Sequence, residues 1–187
     1  MARIPYVDPA TAPEEVRKIL DRLPAKLNIF RLMAHAETNF RPLLRFGTSI
    51  LAEQKLDAKL RELAILQVAR LSPARYEWVQ HVPIAKAVGA NDEQIAALER
   101  GEIDAACFDA TERLVLVATE ELVRGVRTSD ETFKALAARF SSREIVELIF
   151  AVGFYAMLAR LMETAAIDLD PPAGAAVFEQ ARRQGRE

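Results

Sequence analysis

Helix start and stop signals recur along this 187-residue chain, and no segment alternates apolar and polar residues with a period of two. That pairing constrains the fold more than any other feature. Short oxygen side chains followed three residues later by glutamate stand at Thr11–Glu14, Asp109–Glu112, Thr128–Glu131 and Ser141–Glu144. In such a box the first side chain accepts from an orphan helix amide and the glutamate reaches back to the cap. Asp57 is a further cap, and Ser72-Pro73 places a cap residue before a proline at a first helical position. Gly89, Gly101 and Gly125 follow apolar-periodic stretches, as left-handed stop residues do. The spacing predicts helices over 13–22, 28–35, 39–53, 57–71, 73–88, 92–100, 109–124, 129–139, 142–165 and 174–184, with no sheet.

The expected class is therefore an all-α helical array forming one domain over residues 1–187. Only 7 glycines and 9 prolines are present, no Gly/Ser-rich or Pro-rich linker divides the chain, and 51% of residues are hydrophobic. Pro171-Pro172 sets off a last short helix with a charged end. A faint internal doubling is legible: Leu60–Leu66 and Ser142–Leu148 both carry Arg-Glu and then turn apolar. With a net charge of −2, no global field recruits nucleic acid or an anionic membrane. The longest apolar candidate, 145–158, contains Glu147 and runs into Arg160, and no apolar signal core follows Met1, so a cytoplasmic protein is expected. Cys107 is the only cysteine, which excludes an intramolecular disulfide, and His35 and His81 are the only histidines, which excludes a multi-histidine metal site. Neither metal nor cofactor is expected.

The chemistry concentrates between Leu56 and Gly89. Glu77 and His81 stand four apart, which places them on one helix face, with Tyr76, Gln80 and Pro83 beside them. Pro83 has no amide for the carbonyl of Val79 and is expected to bend its helix. The same spacing also describes an ordinary surface ion pair, and Tyr76 and Trp78 are equally at home in a core. Glu62, on the preceding helix, is a candidate third member of the set.

The run Lys59–Arg70, followed by Tyr76–Ala85 and Gly89, resembles the central motif of the carboxymuconolactone decarboxylase and alkylhydroperoxidase D family. In the redox branch of that family a glutamate precedes Cys-x-x-Cys-x-x-x-His. Matched to this chain, the glutamate falls on Glu62 and the histidine on His81, while the two cysteine positions hold Ala74 and Glu77. Thiol peroxidase chemistry needs a thiolate and a resolving thiol, and both motif sulfurs are missing here. The resemblance therefore implies an acid–base enzyme of the decarboxylase kind without a cofactor, using Glu62, Glu77 and His81 on a small acidic lactone or related organic acid. Tyr76, Arg61 and Arg70 are the expected substrate-binding residues, with Arg75 a further candidate. Peroxide defence and a non-catalytic oligomeric binding role are the alternatives. The resemblance also implies a homo-oligomer, as dimer, trimer or hexamer. A small molecule is the expected partner, with neither nucleic acid nor membrane.

Overall fold

The computed structural model describes residues 2–184. Ten helices occur among them, and no strand: α1 (Glu14–Arg22), α2 (Asn28–Met33), α3 (Glu37–Ala52), α4 (Ala58–Leu71), α5 (Arg75–Ala87), α6 (Asp92–Arg100), α7 (Ala110–Gly125), α8 (Asp130–Ala137), α9 (Ser142–Ala165) and α10 (Gly174–Gln184). The expected last helix is present; the charged residues beyond it lie outside the described residues.

Helix α4 is the axis of the fold. Ten of its 14 residues are buried, so it is enclosed on all sides rather than amphipathic. Leu60, Ala64, Ile65 and Val68 face a large apolar cluster shared with α3, α5, α7, α9 and α10. Leu63, Leu66 and Ala69 face a second, smaller cluster with Trp78, Leu98, Phe108 and Leu116. Leu63, Ile65 and Leu66 are fully buried, each worth about 1.5–3 kcal/mol relative to exposure. The three residues between α4 and α5 leave no room for a crossover, so the two helices pack as neighbours.

Local signals act largely as expected, with five departures. Asp57 caps α4 through the amides of Lys59 and Leu60, and full capping boxes form at Asp109–Glu112 and Ser141–Glu144. Thr11 does not cap α1: its amide and that of Ala12 close a turn onto the Asp8 carbonyl, and the helix starts after Pro13 without a side-chain cap. The α8 cap is Ser129 rather than Thr128, fixed by Glu121, which accepts from the Ser129 amide at 2.8 Å. Ser72 ends α4, its amide still bonded to the Val68 carbonyl, and α5 begins at Arg75. Gly125 stays helical, and Val126 takes the left-handed stop at φ 68°. Pro83 leaves α5 continuous to Ala87.

Helix α9 has the length and apolar composition of a membrane span, more than the sequence reading allowed, yet half of that stretch is buried inside the fold. Such burial is what a core helix shows. Arg143 at its start is exposed and Glu144 caps its own helix, whereas Arg61 and Glu62 are buried in α4, so the repeated Arg-Glu does not carry a repeated role.

The segment between α9 and α10 is tied back onto α5. The Tyr76 hydroxyl donates to Asp170 at 2.6 Å, Gln80 Nε2 donates to the Pro171 carbonyl at 3.1 Å, and the Ala173 amide donates to Gln80 Oε1 at 2.8 Å. These bonds bring α10 so close to α5 that a Cβ at Gly174 would clash with the carbonyl oxygen of Gln80, a backbone atom that cannot swing away. Gly174→Ala is therefore expected to lift α10 off α5. Thermal unfolding should show a lowered Tm, and limited proteolysis should cut faster around residues 168–184 than in the native chain.

Candidate active site

Two adjacent residues at the start of α4 and one residue in the middle of α5 form a buried hydrogen-bonded chain. Arg61 Nε donates to Glu62 Oε1 at 3.2 Å, and Glu62 Oε2 meets His81 Nδ1 at 2.8 Å. Glu62 is completely buried, and Arg61 and His81 nearly so. With the carboxylate on Nδ1, that nitrogen carries the hydrogen, which leaves the lone pair of a neutral imidazole on Nε2. Nε2 has no hydrogen-bond partner among the described residues. The edge of the ring is held against Tyr155 of α9, centroids 4.7 Å apart and planes at 83°.

His81 lines a cavity of about 340 Å³, with Glu77 one helical turn away on the same wall. Apolar side chains make up most of the rest: Leu51 from α3, Ile84 from α5, Phe154, Leu158 and Met162 from α9, and Val177 from α10. Three arginines, Arg22, Arg41 and Arg45, also line it, and all three are exposed, so positive charge sits at the mouth and not at the depth. Arg41 and Arg45 pair there with Glu15 and Glu53.

Glu77 is 2% exposed, and neither carboxyl oxygen has a hydrogen-bond partner. Burial first, then the negative charges of Glu62 and Glu163, push its pKa well above the usual carboxylate range. An unpaired buried polar group of this kind costs about 1–3 kcal/mol. Tyr155, fully enclosed, is likewise driven up by burial and by the charges of Glu62 and Glu77, and stays a protonated donor.

The structure brings Glu62, Glu77 and His81 together. It treats the expected substrate-binding residues differently. Tyr76 contributes its ring to the cavity wall, but its hydroxyl is committed to Asp170 and accepts from the Ile29 amide at 3.4 Å. Arg61 does not reach the cavity wall: it holds Glu62 and lies over the Phe178 ring at 5.8 Å. Arg70 is remote, bonded to Gln67 at 3.1 Å and packed against Gly101. Arg75 is exposed and pairs with Glu99. Periodicity could not sort these arginines, because a helix buried on every side has no polar face to point to. Tyr155 was missed; it lies 74 positions beyond His81 in sequence (155 − 81), and only a preceding aromatic, Phe154, marks the spot. Cys107 stands in the second apolar cluster, away from the cavity, its thiol pushed up by burial and by Glu93. Among the described residues, no group of three or more His, Cys, Asp and Glu side chains converges as a metal-ligand set.

Residues 38–120, which include the whole of this α4–α5 unit, match the model of the carboxymuconolactone decarboxylase family. Over that segment the chain is similar to that family. None of the curated proteins matches it. Among solved structures, it resembles an uncharacterized peroxidase-related protein from Ralstonia eutropha JMP134, described as an alkylhydroperoxidase AhpD core. The TM-score is 0.77 at 18% identity, covering 97% of this chain and 96% of that one. A second uncharacterized peroxidase-related protein, from Silicibacter sp. TM1040, aligns with a TM-score of 0.75 at 18% identity, covering 94% of each chain. At such identity the likeness carries the helical fold and not the reaction.

The raised Glu77 pKa has a measurable consequence. A carboxyl whose folded pKa lies above its unfolded value of about 4.3 binds more protons folded than unfolded, so stability falls as pH rises from there through the folded pKa. Glu77→Gln removes that loss. The variant should melt higher than the native chain at pH 7.5, by about 2–4 °C per kcal/mol recovered. The pH-dependent part of the gap should close as pH is lowered toward 4.

Proposed function

We propose that this protein is a cofactor-independent acid–base enzyme acting on a small organic molecule, by decarboxylation or double-bond isomerisation of a lactone or related acid. The observation that carries the reading is the 2.8 Å bond from His81 Nδ1 to Glu62, on a ring that also lines the cavity. The carboxylate fixes the tautomer and orientation of the imidazole and stabilises the charge that forms when Nε2 takes a proton. Proton exchange with a bound molecule then has one atom to pass through, Nε2. In a decarboxylation, the electron pair left by departing carbon dioxide is relocated into the substrate and quenched by a proton delivered from Nε2. In an isomerisation, Nε2 takes the proton from one carbon and returns it to another. A carboxylate on the substrate finds cations only at the mouth, where Arg22, Arg41 and Arg45 stand.

Peroxide defence, suggested by the peroxidase-related neighbours, has a single thiol to draw on. Cys107 is remote from the cavity, and its raised pKa works against a reactive thiolate. A purely structural motif would have little use for a cavity beside His81. With a carboxymuconolactone as substrate, His81→Ala should lower turnover by roughly a hundredfold or more, the usual worth of a positioned proton carrier. Its far-ultraviolet dichroism should remain helical, and Cys107→Ser should leave turnover intact. Equal turnover by native protein and His81→Ala would remove the acid–base assignment.

We also propose that the chain assembles as a homo-oligomer. Val146, Ile149, Phe150 and Met157 are exposed at helical spacing along α9, and Phe46 of α3 lies edge-on against Phe150 at 5.7 Å, extending the apolar face. Light scattering at micromolar concentration should give a mass at least twice the 20.8 kDa of one chain.

A further inference from the structure

Among the described residues, Glu77 is the only carboxyl on the cavity wall, and its two oxygens are buried with nothing to bond to. Around it the wall is apolar, and every arginine lining the cavity is exposed at the mouth. A substrate carboxylate pushed to this depth would meet no cation and would lie beside the charge of Glu62. A protonated carboxyl in such surroundings is a hydrogen-bond donor in want of a neutral acceptor. Tyr155, whose ring packs on His81, also lines the cavity, and its hydroxyl makes no hydrogen bond among the described residues. His81, one turn along α5 from Glu77, supplies a base on the same wall. Donors beside an imidazole in an apolar chamber fit one common functional group: a carbonyl with a removable hydrogen on the neighbouring carbon. The volume, about 340 Å³, is at the small end of ligand pockets and suits one or two rings.

We propose that the cavity binds an apolar carbonyl compound, a ketone or enone, whose carbonyl oxygen accepts a hydrogen bond from Glu77 while His81 Nε2 shifts a proton on the adjacent carbon. The inference rests on the acid–base reading of His81, takes its isomerisation arm in place of decarboxylation, and adds to it the substrate class and the role of Glu77. The step balances without oxidant or reductant. The Nε2 lone pair takes the proton from the carbon next to the carbonyl. The C–H electron pair becomes the carbon–carbon double bond of an enolate, and the carbonyl π pair moves onto the oxygen that Glu77 bonds. The proton on Nε2 then returns to the same carbon, giving exchange, or to the far end of a conjugated system, giving isomerisation. Developing negative charge on the oxygen is met by a donor already in place, the arrangement that lowers such barriers most.

The test uses the full chain with 2-tetralone as the carbonyl probe and 2-naphthol as a mimic of its enol. Binding is followed by calorimetry, and deuterium incorporation beside the carbonyl in heavy water by NMR. The native chain should bind 2-naphthol more tightly than either 2-naphthoate or 2-naphthylmethylammonium, and should accelerate exchange into 2-tetralone. Glu77→Leu should weaken 2-naphthol binding at least about tenfold and slow exchange by roughly a hundredfold. Glu77→Gln, which keeps an N–H donor, should stay within roughly threefold of native in binding. His81→Ala should abolish exchange and still bind 2-naphthol. Exchange that depends on His81 but is indifferent to Glu77→Leu overturns this inference and leaves the acid–base reading standing. Exchange unchanged in His81→Ala overturns both. Tighter binding of the carboxylate or ammonium probe than of 2-naphthol, or no binding of 2-naphthol at all, also overturns the carbonyl assignment.

Discussion

The buried chain from Arg61 through Glu62 to His81 is the constraint on which the rest of the structure depends. Charges taken out of water are costly, and they persist only where partners and packing are fixed around them. Both Glu62 oxygens are engaged, one by each neighbour, so α4 and α5 cannot slide or rotate against each other without stranding a charge. The requirement spreads outward. Arg61 lies over the Phe178 ring, which ties α10 to α4, and the His81 ring sets the position of Tyr155 and with it part of α9. The apolar clusters supply most of the stability; the polar chain supplies the register.

Much of this was legible in the sequence because it is local. The starts of α4, α7 and α9 follow from oxygen side chains a few residues from the amides they satisfy, and the pairing of α4 with α5 follows from a short connection. Glu77 and His81 share a face because both lie on one helix. Glu62 joined them because neighbouring antiparallel helices bring the start of one to the later part of the other. The failures are equally physical. At Thr11 the Asp8 carbonyl claims the amide that the capping box assigns to Glu14, and at Ser72 the amide still closes the last turn of α4. Arg61 and Arg70 are expected to bind substrate, yet one is enclosed away from the cavity and the other is packed against Gly101. Tyr155, Phe178 and the cavity itself depend on contacts between distant parts of the chain, which no local pattern encodes.

The position of Glu77 shows how far a family framework permits its chemistry to diverge. The resembled redox branch places a sulfur there, which must ionise to react. A carboxyl in the same enclosed place is pushed the other way, toward neutrality, by burial and by the Glu62 charge. The glutamate–histidine unit beside it is compatible with either occupant. A buried negative charge next to an imidazole orients and stabilises an acid–base group whichever reactive atom stands one turn away.

The family match ends at residue 120, whereas the chamber does not. Its walls are completed by α1, α9 and α10, all outside the matched segment, with α10 held down over α5 through Tyr76, Gln80 and the tight approach at Gly174. The glutamate–histidine unit and a large part of the chamber wall thus lie in different stretches of the chain. On the acid–base reading proposed above, mutations in the flanking helices would recast what fits while leaving the glutamate–histidine unit untouched, so the choice of molecule would be free to drift apart from the chemistry. Grouping such proteins by their central motif sorts them by what their histidine can do; sorting them by what they consume requires comparing the flanks.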